Sequence, residues 1–290
     1  MSCLDGAAKN IYGFLPDAHR TALVEQNIRR GLADSLRTIF GIVDGELKID
    51  LTNAGRLLRL VESGPVLPAC FGLYTDLVMA LSNAEMDLAQ TILDELLRFQ
   101  PEAGDSLRLV SLSDEDLGAG QADRYRKLFI SDVEFPFAMP LPNERVRAEE
   151  MVGAGLDLLR MATPGSYAEI TTILREIVLV SAPPVQGRMT IAGGAVFSLW
   201  GAILVNVQCL VDRMSAAATI EHEAVHLILF GMANGGRLVL NEDDKRYSSP
   251  LRPDLRPMEG VAHATYVSVR MHRLFEAILS SGELTQEERK

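Results

Sequence analysis

The chain should fold as an α+β protein: a helical N-terminal half, then a small mixed β-sheet leading into one apolar helix and a C-terminal helix, and not a cupin barrel. Three observations predict it. Apolar residues recur every three to five positions through most of the first hundred residues, β-branched and aromatic runs crowd into residues 176–209, and helical periodicity returns on both sides of a polar stretch around residue 245. With 290 residues, 48% of them hydrophobic, the chain can bury one large core or two modest ones.

From Asp17 to Ile42 the residues Leu23, Ile28, Leu32, Leu36 and Ile39 mark one helical face, and Pro16 stands just before it, as at a helix start. Similar patterns cover Asn53 to Val61, Pro68 to Leu81 and Ala84 to Phe99, where Leu88, Ile92 and Leu96 are four apart. The pattern breaks into extended or loop structure around Asp105 to Leu112 and again through Phe135 to Pro140. Prolines 136, 140 and 142 make the best boundary, dividing a helical region, residues 1–140, from a second region, residues 141–290, unless the two form one compact unit. Beyond it, Glu144 to Met161 is helical, Pro164-Gly165 interrupts, and strands are expected over Glu176 to Ala182, Met189 to Leu199 and Ala202 to Cys209. The helix containing residues 220–226 follows, then the turn-rich NEDDKRYSSPLRPDLRP, then a last helix from about Glu259 to Leu279. Gly153 and Gly155 in VGAGLDLLR imitate a dinucleotide fingerprint, but the third glycine is missing and no strand precedes them.

A formal charge of -11 argues against a broad phosphate-binding surface, so nucleic acid is a poor partner. Cys3, Cys70 and Cys209 have neither an even count nor C-x-x-C spacing, which points to a reducing compartment, and MSCLDGAAKN lacks a secretory pattern. A cytoplasmic protein is the expectation. The run from Gly194 to Val211 is about long enough for a membrane span. Asn206 and Gln208 spoil it, however, and Gly201 divides it into two halves that read better as buried strands joined at a turn, so no membrane partner is expected.

The chemistry concentrates in IEHEAVH, where His222, Glu223 and His226 spell H-E-x-x-H. Histidines four apart project together from adjacent helical turns and can share one ion, with the carboxylate of Glu223 in the next sector. Ala217, Ala218, Val225, Leu227 and Leu229 make the helix apolar, so two imidazoles and two carboxylates, Glu221 and Glu223, need partners inside it. A third ligand is usual. His263 is one candidate, and Glu259, one turn earlier, is its competitor, since a carboxylate would complete a two-histidine site suited to ferrous iron. His19 is remote, and His272 should face away from His263 at the surface.

The segment Ser249-Pro250-Leu251-Arg252-Pro253-Asp254-Leu255-Arg256-Pro257, followed by Gly260-Val261-Ala262-His263-Ala264, extends the motif. Together they resemble the HExxH-type 2-oxoglutarate-dependent peptide β-hydroxylases, bacterial enzymes that modify ribosomally made precursor peptides. In that family the H-E-x-x-H helix is followed by S-P-x-R-x-D-x-R-P and then G-x-x-H-A. The resemblance covers roughly the last third of the chain. It implies that His222, His226 and His263 hold Fe(II), that Arg252 or Arg256 grips a carboxylate of the cosubstrate 2-oxoglutarate, and that O2 is consumed. It further implies that a precursor peptide is hydroxylated at a side-chain β-carbon, with Glu223 orienting a ligand or water. The bland alternative for the arginines is that they brace a proline-rich loop against Asp254, Asp243 or Asp244.

Two other functions use the same residues. A zinc metallopeptidase would employ Glu223 as general base on a metal-bound water. Against it, Leu229 stands where one peptidase group has its glycine, and the H-x-x-G-x-x-H continuation is absent. A non-catalytic peptide-binding scaffold would show degraded ligand positions, and none is degraded.

Overall fold

The computed structural model describes residues 12–100, 107–129, 137–182, 191–234, 236–250 and 252–288, apart from the side chains of Arg252 and Pro253. Cys3, Asp105, Phe135, Pro136 and the first two residues of the expected strand at 189–199 lie outside the described residues. What is described is a mixed α+β protein, mostly helical, with two small sheets and no closed barrel.

The first half supplies α1 (Ala18–Ile42), α2 (Leu51–Ser63), α3 (Pro68–Ser82) and α4 (Met86–Arg98). Asp17 caps α1 by accepting from the Arg20 amide, Asp50 caps α2 through the Thr52 and Asn53 amides, and Pro68 opens α3, where a missing N–H costs nothing. The expected stripes are buried at Ile28, Leu32, Leu36, Ile92 and Leu96 and depart only at their first residues. Leu23 and Leu88 are exposed while Val24 and Ala89 are buried, because a 3.6-residue period running back from Ile28 and Leu93 lands nearer the smaller neighbour.

Residues 107–129 hold β1 (Arg108–Ser111), α5 (Asp114–Leu117) and α6 (Gln121–Phe129). Then come α7 (Pro142–Ala162) and α8 (Pro164–Ile173), so Pro164-Gly165 starts a helix as well as ending one. The main sheet follows: β2 (Glu176–Val180), β3 (Gly193–Ala195) and β4 (Ala202–Asn206), in the order β1-β2-β4-β3. β1, β2 and β4 are parallel, and β3 runs antiparallel along the edge. β2 and β4 are buried at every position, the pattern of parallel strands covered on both faces. Ile177, Leu179, Ile203 and Val205 face the large helical core, while Val178, Val180, Ala202 and Leu204 pack with Tyr125, Phe137 and Leu199 on the other side. Strands from both sides of residue 140 thus share one sheet.

The second expected strand is shorter than 189–199: β3 ends at Ala195, and Phe197–Leu199 forms a 3₁₀ turn. Gly201 takes φ +93 at the reversal into β4, a conformation that favours glycine. β4 ends before Cys209 because the Asn206 side chain turns away to donate to the carbonyls of Ala182 and Ile191 and to accept from the Ala182 amide. No helix among the described residues is long and apolar enough to cross a membrane.

Next is α9 (Arg213–Ala233), which contains the H-E-x-x-H motif and packs against α7, α1, α8 and the sheet. Two glycines allow its close approach. A Cβ at Gly155 would lie 2.8 Å from the Ala216 Cβ, and one at Gly231 would lie 2.3 Å from the Trp200 ring. The turn-rich segment that follows forms a hairpin, β5 (Tyr247–Ser249) with β6 (Arg252–Arg256), and leads into α10 (Met258–Ser281).

Candidate metal centre

α9 is anchored at both ends. Asp212 accepts from the Ser215 amide, and Asn234 closes the helix in the left-handed conformation at φ 46. Between them thirteen residues are buried, which fixes the helix's rotation and therefore the direction of His222, Glu223 and His226.

His222 and His226 point into one cavity, their Nε2 atoms 3.2 Å apart. An ion that binds imidazole at about 2.1 Å, with ligand angles between octahedral and tetrahedral, holds neighbouring nitrogens about 3.0–3.4 Å apart. The pair therefore fits the bite of one divalent ion. Both rings are held neutral, as ligands must be: burial lowers the His222 pKa, and burial, reinforced by His222 and His263, brings His226 down to about 3.

The hairpin and α10 bring the rest. His263 lies with its ring centroid 5.9 Å from that of His226 and 5.1 Å from that of Phe230. Burial lowers its pKa as well, opposed by Glu259 and aided by Arg256. Arg256 ends β6, approaches Asp254 at 3.9 Å, and packs over Gly260, where an added Cβ would stand 3.7 Å from the guanidinium carbon. Glu259 accepts from the Leu238 amide at 3.4 Å. The cavity that His222, Glu223, His226, Arg256, Glu259 and His263 line has a volume of about 900 Å³, with Phe197, Phe230 and Val267 supplying apolar wall. Among the described residues, no group of three or more His, Cys, Asp or Glu side chains is drawn tightly enough to hold a metal ion. The histidine pair is preformed, and His263 stands off from it. The side chain of Arg252 lies outside the described residues.

Glu223 occupies the sector facing the sheet. Its side chain packs on Gly193 of β3, where a Cβ would meet Glu223 Oε1 at 2.9 Å and the Leu204 carbonyl at 2.8 Å. Burial alone pushes its carboxyl up to about 8. Glu221, by contrast, finds strong partners on the far side of α9: it accepts from Arg270 Nη2 at 2.9 Å and Ser166 Oγ at 3.2 Å. His272 is at the surface, 3.3 Å from Glu276, and His19 is exposed.

Sequence reasoning missed two neighbours of the site. Phe230 was one helical turn beyond His226, so the i, i+4 rule could have flagged it. Gly193 carried no local signal, since its need for hydrogen in place of a side chain arises from Glu223, thirty residues away. No family model and no curated protein matches the chain.

Proposed function

We propose that the chain is an Fe(II)- and 2-oxoglutarate-dependent hydroxylase acting at a side-chain β-carbon of a ribosomally made precursor peptide. The observation that carries this reading is the pair of histidine nitrogens 3.2 Å apart in a cavity that His263 and Arg256 also line. It is joined to the resemblance of the segment from Ser249 to Ala264.

His222, His226 and His263 would hold the metal, the last after a side-chain adjustment toward the other two. Three neutral imidazoles leave the ion its full charge and, in a six-coordinate site, three further positions. Fe(II), when bound, supplies the redox chemistry by which peptide C–H, O2 and 2-oxoglutarate become C–OH, succinate and carbon dioxide. Arg256 offers a planar pair of donors to a carboxylate of the cosubstrate. Phe197, Phe230 and Val267 keep water from the reacting side chain. The outer edge of β3, last in the sheet order and on the cavity wall, offers backbone groups to an extended peptide. Glu223 sits beside the metal ligands and orients a ligand or a water.

One observation favours a second reading. An antiparallel edge strand laid against an H-E-x-x-H helix, with a carboxyl between them, also suits a zinc peptidase, in which Glu223 would activate water. The deciding experiment incubates the protein with Fe(II), O2, 2-oxoglutarate and a precursor peptide encoded beside it. The expected product is one intact peptide heavier by one oxygen atom, with succinate formed in step. Two fragments, formed without oxygen or 2-oxoglutarate, would establish the peptidase instead.

Replacing Arg256 with Lys should weaken 2-oxoglutarate binding about tenfold or more, because an ammonium cannot make the paired contact. Calorimetric titration of the cosubstrate into metal-loaded protein measures this. Unchanged affinity in both Arg256→Lys and Arg252→Lys would return these arginines to bracing the hairpin.

A further inference from the structure

We propose that a buried charge network of Arg270, Glu221, Glu169 and Arg20 is a positioning device for the metal site, setting the register of the helix that carries His263 against the helix that carries His222 and His226. The inference rests on the metal-binding reading above and goes beyond it, since none of these four residues lines the cavity.

Arg270 Nη2 donates to Glu221 Oε1 at 2.9 Å and to Glu169 Oε2 at 2.5 Å, with all three side chains at most 1% exposed. Glu169, on α8, is itself tied to the start of α1. It accepts from the Asp17 amide at 2.7 Å, from Thr21 Oγ1 at 3.0 Å and from Arg20 Nη2 at 3.1 Å. Glu221 immediately precedes His222. Arg270 lies seven residues after His263, and seven residues bring an α-helix back to within about 20° of the same face.

Among the contacts that join α9 to α10 are Glu221 with Arg270 and His226 with His263. Residue numbers rise from the first to the second on α9 and fall on α10, so the helices run antiparallel between them. A slip of α10 by one residue would displace His263 by about 1.5 Å relative to His226. Metal sites tolerate only a few tenths of an ångström. Apolar burial is non-directional, whereas two charge-assisted hydrogen bonds from one guanidinium fix direction as well as distance and oppose the slip directly.

The network is a costly way to obtain stability alone. Burying ion pairs is often no better than packing apolar groups of the same size. Here Glu221 Oε2 and Arg270 Nη1 are buried without a hydrogen-bond partner among the described residues, which adds to the cost. What the arrangement secures is geometry, delivered from α1 and α8 through Glu169 to both ligand-bearing helices.

The test titrates Co(II) alone into the full chain and records affinity, visible absorption spectrum and melting temperature. Arg270→Met alone strands two facing carboxylates and should destabilise strongly. The double variant Arg270→Met, Glu221→Gln removes both sides of the pair and leaves Glu169 with Arg20, so its melting temperature should return toward wild type. Its Co(II) affinity should nonetheless stay about 10–100-fold below wild type, with an altered spectrum. Glu221→Gln alone, in which Arg270 keeps Glu169, should shift both readouts in the same direction by less. Wild-type affinity and spectrum in the folded double variant would overturn the inference and leave the metal site standing. A folded wild type that does not bind Co(II) would overturn both.

Discussion

Replacing His226 with Ala is expected to lower metal affinity by at least two orders of magnitude and to abolish turnover, while the fold survives. His226 is the middle member of the histidine set, 3.2 Å from His222 through nitrogen and with its ring centroid 5.9 Å from that of His263. Loss of His226 leaves only His222 on α9 and His263 on α10, two imidazoles that stand on different helices, and such a bidentate pair does not retain a divalent ion against buffer. The fold should persist because the neighbours of His226 on α9, Val225 and Leu227, are completely buried and untouched. Equilibrium dialysis with Fe(II) under anaerobic conditions, with circular dichroism as the control, measures both quantities. The same experiment on α10 identifies the third ligand. His263→Ala should lose iron and Glu259→Ala should keep it, and the reverse outcome would make the site one of two histidines and a carboxylate.

Much of this architecture was legible in the sequence. The apolar stripes of α1, α3, α4, α7 and α10 gave helices whose ends fall within a few residues of those observed, and the β-branched runs of β2 and β4 read correctly as buried strands, whereas of the two strands expected to meet at Gly201 the first is only the short β3 followed by a 3₁₀ turn. What was not legible arises from contacts remote in sequence or from chemistry with two meanings. Pro164-Gly165 reads as a break, yet proline is also a favoured first residue of a helix, and α8 begins there. Pro253 disguised β6, because proline is tolerated only in short or edge strands such as this two-stranded hairpin. In the candidate site the two helical histidines followed from spacing alone. Elimination left His263 and Glu259 as candidates for a third ligand, and only the longer resemblance preferred His263 and singled out Arg252 and Arg256, since a hairpin and a helix start bring them in. The burial of Glu221 posed the question of its partner without answering it, for Arg270 lies 49 residues away and an isolated arginine in a helix reads as a solvated charge.

Glu223→Gln should make the metal-free protein more stable at neutral pH and leave its stability unchanged in acid. Glu223 is 7% exposed, and burial pushes its carboxyl up to about 8 from an ordinary value of 4.5. Below pH 4.5 it is protonated in the folded and the unfolded chain alike and contributes no difference. Between 4.5 and 8 the unfolded chain ionises while the folded chain keeps its proton, so stability falls as pH rises, by about 1.4 kcal/mol per pH unit. At pH 7 the accumulated penalty is about 3 kcal/mol, and glutamine, of the same shape and uncharged, removes it. Urea unfolding with a chelator present at pH 4 and at pH 7 should show the gain only at the higher pH. An equal effect at both would mean that the carboxylate is paired or hydrated in the folded chain. A bound cation beside Glu223 favours the carboxylate, so the gain should shrink on metal loading. The same variant also separates the two chemistries. A peptidase that needs Glu223 to deprotonate water loses its activity outright, whereas a hydroxylase, in which no carboxylate has to make a nucleophile, keeps measurable turnover while its metal-free form melts at higher temperature.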